Sequence, residues 1–78
     1  MNDYNDPELK FPRLEARLLK LPDGFYRVQI WLRREPGEGR EQLVNKWIGG
    51  SALDAHEYIR EQADKFGAEV GPDDIWTE

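Results

Sequence analysis

Apolar and polar residues alternate along two stretches of this chain and follow a helical period along a third. In RLEARLLK, residues 13 to 20, Leu14, Ala16 and Leu18 face one way and Arg13, Glu15 and Arg17 the other. That is the pattern of a half-buried strand. A helix competes here, because Leu14, Leu18 and Leu21 also fit one helical face. The following LPDGF favours the strand. Pro22 presets φ, Asp23 can bond its own backbone and Gly24 accepts φ > 0, which together make a hairpin turn. In FYRVQIWLRR, residues 25 to 34, Tyr26, Val28, Ile30 and Leu32 share one face, and Arg27, Gln29, Trp31 and Arg33 share the other. The β-branched and aromatic residues add strand propensity.

EPGEGR, residues 35 to 40, breaks the chain, and a third strand is expected over residues 41 to 48. Its sidedness is open: Leu43 and Trp47 fall on one face, Val44 and Ile48 on the other. Gly49 and Gly50 end it. SALDAHEYIREQADKFG, residues 51 to 67, then has a helical period. Ala52, Ala55, Ile59, Ala63 and Phe66 cluster at about 100° per residue. Ser51 is a good N-cap, Asp54 follows it as in a capping box, and Gly67 suits the left-handed C-terminal position. Val70, Ile75 and Trp76 are the apolar anchors of the last segment, which can form a short edge strand or an extended arm.

The expected fold is α+β: a small antiparallel three- to four-stranded sheet packed against one α-helix, in the order β-β-β-α, with a short C-terminal strand as an option. Residues 1 to 12 read as an N-terminal tail that Tyr4, Leu9 and Phe11 can pin, and residues 13 to 78 as a single domain. Seventy-eight residues with 38% apolar content allow one modest core. Without cysteine there are no disulfides and no thiolate metal sites, so the core must hold unstapled. The acidic, polar N-terminus is unlike a signal peptide, and no apolar run approaches the roughly 20 residues of a membrane helix. A cytoplasmic setting is therefore expected.

Catalytic chemistry is sparse. His56 is the single histidine, so no histidine cluster can bind a metal, and no EF-hand loop spacing occurs. Ser51 shares a helix with His56 and is engaged as its cap. Gly49, Gly50 and Ser51 lack the Lys and the full spacing of a phosphate loop. A sheet with one helix leaves little room for a catalytic cleft. The expectation is a non-enzyme without cofactor or metal.

Charge carries more information. Residues 13 to 34 hold six basic residues against two acids, and residues 51 to 78 hold eight acids against two bases, in a chain of net charge -5. Asp54, Glu57, Glu61 and Asp64 form one stripe almost opposite the apolar helix face, about 15 Å long at the standard rise. Lys65, four residues after Glu61, and Arg60 partly offset it. The plain reading is a solvated helix back. The functional reading is an acidic ridge that imitates a run of phosphates and docks on a basic protein surface, with Asp73, Asp74 and Glu78 extending it. The rival surface is the strand face with Arg27, Trp31 and Arg33, which resembles a stacking platform for single strands or a protein hot spot. Its own plain reading is that the tail or the DDIW segment covers Trp31. The net negative charge favours a protein partner over nucleic acid.

In length, expected strand order and acidic helix stripe, the chain resembles the small inhibitors encoded by phages and mobile elements, the anti-CRISPR proteins. That resemblance implies a compact α+β inhibitor acting without catalysis, by occupying the DNA-binding surface of a Cas effector complex in a bacterial host cell. It carries over no functional residue, and the basic hairpin departs from an all-over DNA mimic. The leading expectation is thus a non-enzymatic protein-binding module. The alternatives are a sheet-face single-stranded nucleic-acid binder or a small accessory subunit, in either case a monomer or, through an open sheet edge, a homodimer.

Overall fold

A computed structural model describes residues 10 to 37 and 39 to 77. Three long strands, β1 (Arg13–Lys20), β2 (Tyr26–Arg33) and β3 (Glu41–Gly49), are followed by the helix α1 (Ala52–Phe66), a 3-10 turn (Pro72–Asp74) and a short strand β4 (Ile75–Thr77). The sheet order is β3-β2-β1-β4. This is the expected α+β arrangement, with the optional fourth strand present. One feature differs. β4 runs parallel to β1, so the sheet is mixed rather than purely antiparallel. The reason lies in the connection: the helix carries the chain back along the sheet, and β4 then enters beside β1 in β1's own direction.

The hairpin sets the register of the first two strands. Leu21 N–H donates to Phe25 O, and Gly24 takes φ 92°. The Asp23 carboxylate accepts from Phe25 N–H at 3.2 Å. From there Lys20 pairs with Tyr26, Leu18 with Val28, Ala16 with Ile30 and Leu14 with Leu32. Paired residues share a face, so the two apolar rows coincide. Those residues are buried, Tyr26 and Lys20 at the rim excepted. Ala55, Ile59 and Ala63 of the helix close over them.

β3 explains why its pattern could not be read. Val28 pairs with Trp47 but Ile30 pairs with Val44, and the register slips again before Trp31 pairs with Gln42. Each slip places an extra residue on β3, as at a β-bulge. Trp47 and Val44, three apart, can then both reach the core side, and Leu43 joins them. Ile48 is left 54% exposed. The Trp47 ring stacks on Tyr58 of the helix at 4.6 Å. It also lies across Gly49, where any Cβ would collide with the ring.

The helix ends as its residues foretold. Ser51 Oγ accepts from Asp54 N–H at 3.1 Å. Gly67 has φ 60°, its N–H reaches Asp64 O, and Ala68 N–H reaches Ala63 O. That pair of bonds is a Schellman motif. Phe66, expected on the apolar face, stays partly exposed in the last turn. Beyond it, Glu69 bridges to Arg13, with Leu14 N–H donating to Glu69 O and Glu69 N–H to Pro12 O. Val70 and Ile75 pack on the core, as their role as anchors required, while Trp76 turns to the other face. Tyr4 and Leu9 of the expected tail lie outside the described residues.

Replacing Gly49 by Ala forces Trp47 off Tyr58. Overpacking of this kind costs about 1–3 kcal/mol, so urea melts of Gly49→Ala should show that loss. Gly39→Ala, where a Cβ meets open space, should remain within about 0.5 kcal/mol of the parent.

Candidate functional site

Two surfaces were expected to matter, and the fold puts them on opposite sides. On the helix, Asp54, Glu57, Glu61 and Asp64 are all exposed. Ala55, Ile59 and Ala63 point the other way, into the core. None of the four carboxylates forms an ion pair among the described residues. Lys65, spaced to pair with Glu61, has its ammonium 5.9 Å from the Phe66 ring instead. Of the expected extensions, Asp73 is exposed on the 3-10 turn, and Glu78 lies outside the described residues.

Asp74 requires correction as a partner-facing residue. It is 5% exposed. Its carboxylate accepts from Arg13 and from Gly71 N–H at 2.9 Å. Asp74 thus closes the 3-10 turn and fastens it to β1. The turn directs Ile75 inward, and a charge beside a partly buried arginine is of more use there than in water.

The open face of the sheet reads as rows across β1, β2 and β3. Nearest the hairpin are Leu21 and Phe25, then Leu19, Arg27 and Ile48. A polar row follows. An Arg17 guanidinium N–H donates to Gln29 Oε1 at 3.3 Å, and Gln29 Nε2 donates to Asn45 Oδ1 at 2.9 Å. Farther along, Glu15 lies opposite Trp31, and Arg13 opposite Arg33. Trp76 enters from β4 beside Arg17.

Arg33 is the second correction. It was expected in solvent next to Trp31, and it is buried. Its Nε–H donates to Glu15 Oε2 at 2.9 Å, and its Nη1 donates to Gly37 O and, at 3.5 Å, to Gly39 O in the β2–β3 loop. Glu15, 2% exposed, also accepts at Oε1 from Arg40 at 2.6 Å. Arg40 lies 4.5 Å from the centre of the Trp31 ring, and Trp31 stacks nearly parallel to Trp76 at 6.0 Å. The DDIW segment therefore does reach over Trp31, as one expectation held. A buried carboxylate needs paired charge and filled lone pairs, and two guanidinium groups meet that demand. The signal was in the register. A hairpin closing Leu21 on Phe25 places Glu15 diagonal to Arg33, and diagonal neighbours are within reach of long side chains.

Arg27, expected to point to solvent, is half-buried on the open face. Its hydrogen bond among the described residues runs from Nε to Asn45 O at 3.3 Å. Arg34 pairs with Glu41 at 3.2 Å, with both side chains more than half exposed.

Little else offers chemistry. His56 is half-buried on the helix, and Ser51 is occupied as the cap. Among the described residues no group of His, Asp or Glu is placed to hold a metal ion. No helix among them is long and apolar enough to cross a membrane. An open depression of about 410 Å³ beside the β2–β3 loop is lined by Leu32, Arg34, Gly37, Arg40 and Glu41, among others. Its arginines are already paired with Glu41 and Glu15. No protein-family model, curated protein or solved structure matches this chain.

Removing Glu15 strands the buried Arg33 guanidinium. Breaking a buried pair from one side costs about 3–5 kcal/mol, so Glu15→Ala should lose that much in chemical denaturation. Glu41→Ala, which breaks the exposed Arg34 pair, should cost no more than about 1 kcal/mol.

Proposed function

We propose that this chain is a non-catalytic protein-binding module whose acidic helix face docks on a basic, nucleic-acid-binding surface of its partner and occludes it. The supporting observation is how its charges are sorted. Arg13, Arg33, Arg34 and Arg40 are engaged with Asp74, Glu15 and Glu41. Asp54, Glu57, Glu61 and Asp64 remain exposed and without ion pairs among the described residues. The charge a partner meets is thereby acidic and concentrated on one rigid element. Carboxylates at that spacing attract surfaces that otherwise bind phosphates, with fast, salt-sensitive association. In its most specific form, the reading is an inhibitor of the anti-CRISPR kind, active in the cytoplasm of a bacterial host against a Cas effector complex.

The reading of the open sheet face as a single-strand binder has lost two of its three residues. Arg33 is buried against Glu15, and the Trp31 ring is engaged by Trp76 and Arg40. Base stacking needs a free aromatic face.

The test is capture from host lysate at low and at high salt, with the retained proteins identified by mass spectrometry. A basic nucleic-acid-binding complex, retained at low salt and released at high salt, is the expected result. A variant carrying Asp54→Asn, Glu57→Lys, Glu61→Lys and Asp64→Lys keeps the first helical turn free of added positive charge. It should bind that complex at least about tenfold more weakly. Unchanged binding by this variant contradicts the proposal.

A further inference from the structure

The hairpin end of the open sheet face has a composition at odds with the rest of the molecule. Leu19, Leu21, Phe25 and Ile48 surround Arg27 there, with Phe25 46% and Ile48 54% exposed. Among the described residues no acid shares these rows. The nearest in the chain, Asp23, is turned onto the Phe25 N–H. Arg27 binds a backbone carbonyl through Nε, and among the described residues that leaves the two terminal nitrogens of its guanidinium for an external carboxylate. A guanidinium within an apolar rim fits an apolar side chain flanked by carboxylates. It fits a polyphosphate strand poorly, because that demands repeated cations.

The complementary chemistry stands elsewhere on the same molecule. Leu53, in the first turn of the helix, is 68% exposed, the highest value among the exposed large apolar residues. Asp54 adjoins it, and Glu57 follows one turn later, both exposed and without ion pairs among the described residues. Residues four apart on a helix are neighbours, so Leu53 and Glu57 present one apolar and one anionic contact side by side. A single copy cannot bring the two patches together. The helix lies against the sheet face that carries Val28 and Ile30, and Arg27 projects from the opposite face.

We propose that the Arg27 patch seats the first two helical turns of a second copy of the chain: Leu53 enters between Phe25 and Ile48, and the Glu57 carboxylate takes the Arg27 guanidinium. The contact is heterologous, joining unlike surfaces head to tail, so it propagates unless the rotation between copies closes a ring. Net repulsion between copies of charge -5 is screened beyond about 8 Å at physiological ionic strength, and local complementarity decides the outcome. The contact goes beyond the docking function and competes with it at the amino-terminal end of the acidic stripe.

Sedimentation equilibrium of the full chain over a concentration series is the test. The expected result is an average mass rising above the 9.2 kDa monomer as concentration increases. Arg27→Glu and Glu57→Arg, each alone, should weaken association about tenfold, and the double variant should recover most of the loss. Ile48→Ser, at an exposed position, should weaken it with no change of charge. A chain that stays monomeric to about 1 mM, the weakest range of specific affinity, overturns the proposal. So does a double variant no better than the single ones. So does a monomer that takes up single-stranded DNA at the Arg27 face. Failure here with salt-dependent capture of a basic complex intact removes only the self-association.

Discussion

The carboxylate of Glu15 is the constraint on which the organisation of this molecule turns. It sits on the sheet face away from the helix, where an open α+β sheet would ordinarily meet water. It is nonetheless 2% exposed and accepts from both Arg33 and Arg40. Through Arg33 it ties β1 to β2 and to the β2–β3 loop. Through Arg40 it draws that loop over Trp31, which Trp76 flanks from β4. A buried ion pair is not in itself a strong source of stability, since desolvation offsets much of the attraction. Its effect is specification: once Glu15 is buried, the loop, the tryptophans and two arginines each have one good arrangement.

That arrangement also determines what a partner encounters. Counted along the chain, the first hairpin is basic and the helix acidic. In three dimensions three of the hairpin's six basic residues are held in ion pairs. Arg13 serves Asp74, Arg33 serves Glu15, and Arg34 serves Glu41. Asp54, Glu57, Glu61 and Asp64 form no such pairs among the described residues. Internal pairing therefore sharpens the acidity of the helix instead of cancelling it. The open face has Arg27 in an apolar rim at one end, a hydrogen-bonded row of Arg17, Gln29 and Asn45 in the middle and the Glu15 ionic cluster at the other.

Much of the fold was legible because local rules decided it. Pro22, Asp23 and Gly24 make the turn, the alternation on either side makes the strands, and Ser51 and Gly67 bound the helix. β3 was illegible in its facing because a register slip between Trp47 and Val44 puts both on the same side at a spacing no regular strand permits, and a second slip follows before Gln42. The edge strand gains from this, since bulges and Lys46 discourage pairing with stray strands. The candidate site was legible where it depends on helical periodicity, as in the acidic stripe. It was misread where it depends on distant pairs. Arg13 and Asp74 are 61 positions apart, and nothing near Asp74 in sequence announces its partner. Arg33 was closer to hand, because the hairpin register already placed Glu15 diagonal to it.

The most direct measurement of this charge sorting is hydrogen exchange at the arginine Nε–H groups, followed by NMR. The account predicts that Arg33, buried against Glu15, exchanges orders of magnitude more slowly than exposed Arg34, as buried hydrogen-bonded donors do. Equal, fast exchange at Arg33 and Arg34 would mean that Glu15 does not hold its arginine. The separation into an internally satisfied sheet face and a free acidic helix would then fail.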